Sequence, residues 1–274
     1  MFELFTYHFF TNAIMIAILT SISCGIIGTY IVSKRLVFIS GGITHTSFGG
    51  IGLGYFLGMN PLIGAAVFSV LSALGIEYMS KKTEVREDSA IAIMWSFGMA
   101  VGIIFIFLTP GYAPNLMTYL FGSILTVTSL DLAISTGVTI LVIVFFLLFF
   151  KTILFISFDP DFAKARQINV DLMNYLLITL VALTIVINIK VAGIILIISL
   201  LTIPQAAANL FFKDFKKIIF LSILIGLTGS ISGLILSYYI NIPSGATIIF
   251  TLVLIFLILR LFRSIKIKYF PTLN

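Results

Sequence analysis

The sequence predicts an all-α bundle of eight or nine membrane-spanning helices, and three observations predict it. Of 274 residues, 60% are hydrophobic and only 9% are charged, where a soluble domain has about 45–50% and about 25%. Mean hydropathy is +1.22. Apolar runs recur from end to end, typically long enough to cross a hydrocarbon layer about 30 Å thick at about 1.5 Å per residue. Helix is the form expected for each, because backbone polar groups facing lipid must be paired within their own segment. This composition excludes a soluble enzyme, a DNA-binding domain and a disulfide-stapled secreted module. Cys24 is the single cysteine and lies inside the first apolar run, so neither an internal disulfide nor a thiolate metal cluster is expected. No basic stretch precedes that run, and no cleavable signal peptide is expected.

The runs fall near residues 9–33, 36–58, 61–79, 89–109, 132–156, 172–189, 191–212, 218–240 and 243–262. Two kinds of connection alternate between them. One kind is basic: Lys34-Arg35; Lys81-Lys82 with Arg86; Lys151 with Lys164 and Arg166; Lys213 with Lys216 and Lys217; and a tail with Arg260, Arg263, Lys266 and Lys268. The other kind is short and turn-forming: Met59-Asn60-Pro61, Thr109-Pro110-Gly111, Asn188-Ile189 and Asn241-Ile242-Pro243. Reading the basic connections as cytoplasmic places 15 of the 16 Lys and Arg there and leaves only Lys190 outside. The N-terminus, with Glu3, is then external and the C-terminus cytoplasmic. The basic pI of about 9.4 thus belongs to membrane topology and anionic lipid rather than to nucleic acid. Residues 114–131 are too short to span and are expected at the outer surface or as a re-entrant helix. Runs 172–189 and 191–212 leave almost no room for a loop, so one is expected to be broken. No stretch is left over for a soluble domain, and residues 1–274 read as one transmembrane domain.

Within the second run stands Ser40-Gly41-Gly42-Ile43-Thr44-His45-Thr46-Ser47-Phe48-Gly49-Gly50. His45 lies near mid-membrane depth, where an ionisable side chain is costly and normally faces a partner, a cavity or a substrate path. Imidazole is also the commonest side-chain ligand of transition metals. Two readings stand: a structural histidine bonded to a neighbouring helix, or a ligand on a transport path. Thr44, Thr46 and Ser47 either serve His45 or bond to carbonyls one turn back. His8, at the membrane edge, reads as surface. Gly50/Gly54/Gly58, Gly98/Gly102 and Gly229/Gly233 are four apart, a spacing that permits close helix packing or a dimer seam. No G-x-x-x-x-G-K-[ST] loop occurs, so ATP is not bound by that route.

Among acidic residues, Glu77 is expected to pair with Lys81 at i+4, and Asp88 and Asp131 read as helix-start residues. None is near mid-membrane, against a carboxylate proton relay. Pro204 should kink the seventh run, where Ser199, Thr202, Gln205 and Asn209 form a polar stripe for interhelical bonds or a pathway lining. In residues 157–170, Asp159 and Pro160 start a short cytoplasmic helix. Phe162, Ala165 and Arg166 share one face of it, resting on the membrane or meeting a motor protein.

Four pieces, in this order and topology, resemble the permease subunit of the bacterial ABC transporters for zinc, manganese and iron, over about residues 8–265. They are Lys34-Arg35 to Gly50 with its histidine core; Tyr119-Leu120-Phe121-Gly122-Ser123-Ile124; Phe158-Asp159-Pro160 with the Ala-containing helix; and Leu201-Thr202-Ile203-Pro204-Gln205-Ala206-Ala207. The resemblance implies a non-enzymatic, multi-pass permease of the bacterial cytoplasmic membrane, paired with a second copy of itself, with the path at the dimer axis. It implies a cytoplasmic ABC ATPase dimer docking on residues 159–170 and an extracytoplasmic metal-binding protein on the outer face. The cargo would be a divalent zinc, manganese or iron ion, with no cofactor held permanently. His45 would be a transient metal ligand, with Thr44, Ser47, Thr202 and Gln205 lining the route. Asp159, Phe162, Ala163, Ala165 and Arg166 would couple to the ATPase. Two departures stand out. Manganese-type relatives tend to carry aspartate where Gly41 stands, which leans this site toward zinc; and a glycine is common where Gln167 stands. An ABC permease for a chelate or cofactor shares the architecture, whereas a secondary transporter should show mid-membrane acidic residues and inverted repeats.

Overall fold

The computed structural model describes residues 8–110, 122 and 124–269, with backbone alone at Leu125 and residues 266–269. Glu3, and Tyr119, Leu120, Phe121 and Ser123 of the outer motif, lie outside the described residues. Among the described residues ten α-helices follow one another: α1 (His8–Ser33), α2 (Val37–Phe56), α3 (Pro61–Lys82), α4 (Glu87–Leu108), α5 (Ser129–Phe158), α6 (Pro160–Ala165), α7 (Val170–Leu200), α8 (Ile203–Ala208), α9 (Phe215–Ile240) and α10 (Ser244–Tyr269). No strand occurs among the described residues. All the long helices but α2 are long and apolar enough to cross a membrane. The exception is diluted by Gly, Ser and Thr.

The turn residues of the sequence do the local work. Asn60 accepts the Leu62 amide at 3.0 Å ahead of Pro61. Asp214 accepts that of Lys217 and Asn169 that of Leu172, each at 3.0 Å. Thr128 and Asp131 form a reciprocal capping box at the start of α5, satisfying otherwise orphaned amides. Asp131 also receives Lys190 at 2.7 Å, which accounts for the one basic residue stranded on the neutral face. At the opposite, basic face Lys81 pairs with Glu77 at 2.5 Å, as expected, and reaches Asp171 at 3.5 Å.

α7 resolves the missing loop. Its lower part lies antiparallel to α3, with Asp171 beside Lys81 at one end and Val186 and Ile187 beside Ala66 and Val67 at the other. On α1, Thr20 bonds Asn188, while Cys24 one turn on bonds Gln205. A straight helix would separate Asn188 from Gln205 by about 25 Å, far more than the ~6 Å between their partners on α1. The chain therefore turns back at Gly193, whose φ of 76° is left-handed, a conformation open to glycine. Runs 172–189 and 191–212 are the two arms of this hairpin. The returning arm breaks at Leu201-Thr202, ahead of Pro204, and resumes as α8.

Glycines set the rest of the packing. A Cβ on Gly50 would lie 2.1 Å from the Gly64 carbonyl oxygen of α3, and one on Gly52 2.4 Å from that of Gly102 on α4. A Cβ on Gly98 would meet the Thr46 Cα at 2.5 Å. The small-residue stripes therefore clasp α2 between α3 and α4 inside one chain. Gly58 does something else, ending α2 at φ 66° with nothing near it. A second clasp joins α9 to α1 and α10, through Gly25 against Ile223 and Gly233 against Ile248. α1, α2 and α7 are the most buried long helices, while α4, α5 and α10 turn apolar faces outward.

Gly50→Ala should therefore destabilise the purified protein by about 1–3 kcal/mol through overpacking. Gly137→Ala on α5, where a Cβ meets nothing within 4 Å, should not. Thermal melting in detergent compares the two.

Candidate metal path and coupling helix

α2 and α4 run in the same direction and in fixed register, with Gly42 against Ile91, His45 beside Trp95 and Thr46 against Gly98. His45 lies about 12 Å into its helix at 1.5 Å per residue, well away from the basic face. Its ring is half-buried and stacks on that of Trp95, centroids 4.2 Å apart and planes within 10°. Nδ1 is buried without a hydrogen-bond partner. The other nitrogen, Nε2, is not shut in this way and is the one a ligand can reach.

The hydroxyls around it are already spoken for. Thr44 donates to the Ser40 carbonyl and Ser47 to that of Thr44 at 2.6 Å; both side chains are fully buried. Thr46 donates to Ile43 at 2.9 Å. Of the two readings of these residues, the back-bonded one is what the structure shows. Thr202 donates to the Ile198 carbonyl at 2.7 Å. Gln205 donates through Nε2 to the Cys24 and Leu200 carbonyls at 2.9 and 3.1 Å, a latch from α8 to α1 across the helix break. The polar contacts of Ser199 and Thr202 are thus with their own arm, while Gln205 bonds across to α1. Among the described residues no three His, Cys, Asp or Glu gather into a metal-binding group.

At the basic face, Asp159 accepts the Phe162 amide at 2.9 Å and caps α6 behind Pro160, as the sequence indicates. Phe162, Ala165 and Arg166 are exposed, and the Arg166 guanidinium sits 5.2 Å from the Phe162 ring centroid. Ala163 departs from its expected place with them: it is fully buried and seats α6 on the protein. Gln167 has φ 59°, and the next amide, Ile168, bonds back to the Ala163 carbonyl at 3.1 Å. This is a left-handed helix terminus, which explains why glycine suits the position.

Trp95 is a neighbour of His45 that sequence reasoning does not single out. A signal was present: the only tryptophan of the chain stands inside a span, whereas tryptophan concentrates at membrane interfaces.

The profile of the ABC 3 transport family matches residues 6–263. The chain belongs to this family. An uncharacterized membrane protein of Synechocystis is 43% identical over 96% of this chain and 94% of its own length. The manganese import system permease protein ScaB of Streptococcus gordonii is 37% identical over 92% and 90%. Among solved structures, PsaBC from Streptococcus pneumoniae in complex with Fab superposes with a TM-score of 0.83 at 36% identity, over 93% of this chain and 92% of that one. The resemblance to metal ABC permeases drawn from motifs and topology holds, and the family fold is the multi-pass bundle described above.

Replacing Gln167 with Gly should slow amide exchange across residues 163–168 by about fivefold, the equivalent of ~1 kcal/mol of relieved left-handed strain. Gln167→Val should speed it. Hydrogen exchange of the two variants checks the assignment.

Proposed function

We propose that the chain carries a divalent transition metal inward across the bacterial cytoplasmic membrane, as one of a pair of identical permeases. The observation that carries this is His45, an imidazole about two turns into α2 whose neighbouring hydroxyls bond within their own helix, leaving Nε2 for a ligand. Doubled at a two-fold axis, a single histidine per chain gives a site that admits an ion and lets it go, the constraint every conducting site meets. The basic face is cytoplasmic by its Lys and Arg excess, which puts the C-terminus inside. A cytoplasmic ATPase dimer docks on the exposed Phe162, Ala165 and Arg166 of α6, and a metal-loaded binding protein docks on the opposite face. The names of ScaB and other relatives favour manganese as the cargo; the lean toward zinc from Gly41 finds no support among them.

The test is total cellular manganese, zinc and iron in a deletion strain grown in metal-depleted medium, complemented at matched membrane abundance. Wild type should restore one metal, manganese, and His45→Ala should restore at least about tenfold less at limiting concentration. Restoration of no metal points to a chelate or cofactor cargo and removes this reading. Ala165→Glu, placing a charge on the α6 face, should abolish accumulation at unchanged abundance; normal accumulation would remove α6 as the ATPase contact.

A further inference from the structure

We propose that Trp95 is the positioning residue of His45, holding the imidazole by stacking where a metal-bound histidine is ordinarily held by a hydrogen bond. The inference rests on His45 being a ligand. A ligating imidazole that binds metal through one nitrogen usually gives the proton on the other to a carboxylate, carbonyl or water, and that bond fixes the ring's orientation. Here Nδ1 is buried and has no acceptor. Nothing polar sets the ring, so its orientation must come from packing.

The indole supplies it. The two rings are 4.2 Å apart and within 10° of parallel, so rotation of the imidazole about its bond to Cβ would drive an edge into the indole face. Trp95 is itself held by register, since Ile91 lies against Gly42 and Gly98 against Thr46, one turn to either side. Gly41 completes the arrangement. A Cβ there would meet Trp95 Cζ3 at 3.6 Å, an ordinary contact, so a side chain longer than a methyl would compete with the indole for this space. The electron-rich indole face also favours a ring that takes on positive charge when a metal binds Nε2. Simple space-filling needs an apolar side chain of this size; it does not need coplanar rings.

Because Trp95 is the only tryptophan, the chain's own fluorescence reports the stack. In the full chain reconstituted in nanodiscs, His45→Ala should shift the intensity or maximum of Trp95 emission; unchanged emission means the rings do not stack and overturns the proposal. In cells with the whole transporter, at matched abundance, Trp95→Leu should raise the half-saturating manganese concentration about tenfold. Trp95→Phe, which keeps an aromatic face, should stay within about twofold of wild type, by the same comparison. A Trp95→Leu defect confined to the maximal rate, or matched by Trp95→Phe, would make Trp95 a structural filler. Uptake intact in His45→Ala would instead remove the ligand role of His45, and the positioning role with it.

Discussion

The structure depends on how closely backbones approach α2. In a bilayer, lipid is as apolar as leucine, so helices gain little by hiding apolar side chains from it, and contact quality decides what packs. α2 resolves this with glycine on both flanks, meeting Gly64 of α3 on one side and Gly102 of α4 on the other at distances no Cβ allows. That clasp is what lets a helix too polar to count as a membrane span sit inside one. Its serine and threonine hydroxyls are then enclosed and turn to carbonyls of their own helix, which keeps each donor satisfied at no cost to the neighbours. His45 does not use this device, and its buried Nδ1 is left unpaired.

A second clasp holds α1, α9 and α10, and the two groups share little direct surface: α1 and α2, though consecutive, hardly touch. The hairpin of α7 fills the seam. Its rising arm lies on α3 and its returning arm latches to α1 through Gln205, with the reversal at Gly193 packed against Gly122 on the neutral face. At the basic face the same helix begins just after α6, and Asp171 meets Lys81. α6 therefore adjoins both groups, through α5 on one side and the start of α7 on the other.

Most of the fold was legible because its signals are local. Apolar length, Asn60-Pro61, Asp159-Pro160 and Asn241 act within one turn of where they stand, and the structure uses each turn residue as a cap or stop. The Gly193 reversal was only half visible: two runs without a loop require a break, but which residue turns depends on the partners Thr20 and Cys24, more than 150 positions away. The candidate site divides the same way. His45 and the α6 face are marked by residue type and spacing. Ala163 facing inward, the sealed hydroxyls of Thr44 and Ser47 and the direction of Gln205 follow from which face of each helix meets a neighbour, and a single sequence does not fix that in a chain apolar all round.

On the proposed reading of His45 as a metal ligand, what remains is why one histidine, so sparingly supported, suits a carrier. A carboxylate or carbonyl behind a metal-bound imidazole strengthens it as a donor, and closed sets of such ligands hold ions for long periods. His45 has no such backing at Nδ1, and among the described residues no three His, Cys, Asp or Glu gather into a ligand set. Stacking on Trp95 gives it direction without that added donor strength. Orientation speeds capture, because a ring already aimed loses less freedom when it binds; weak donation speeds release. In a transporter those two demands oppose each other at any site built from strong ligands, and separating orientation from ligand strength is one physical way to meet both.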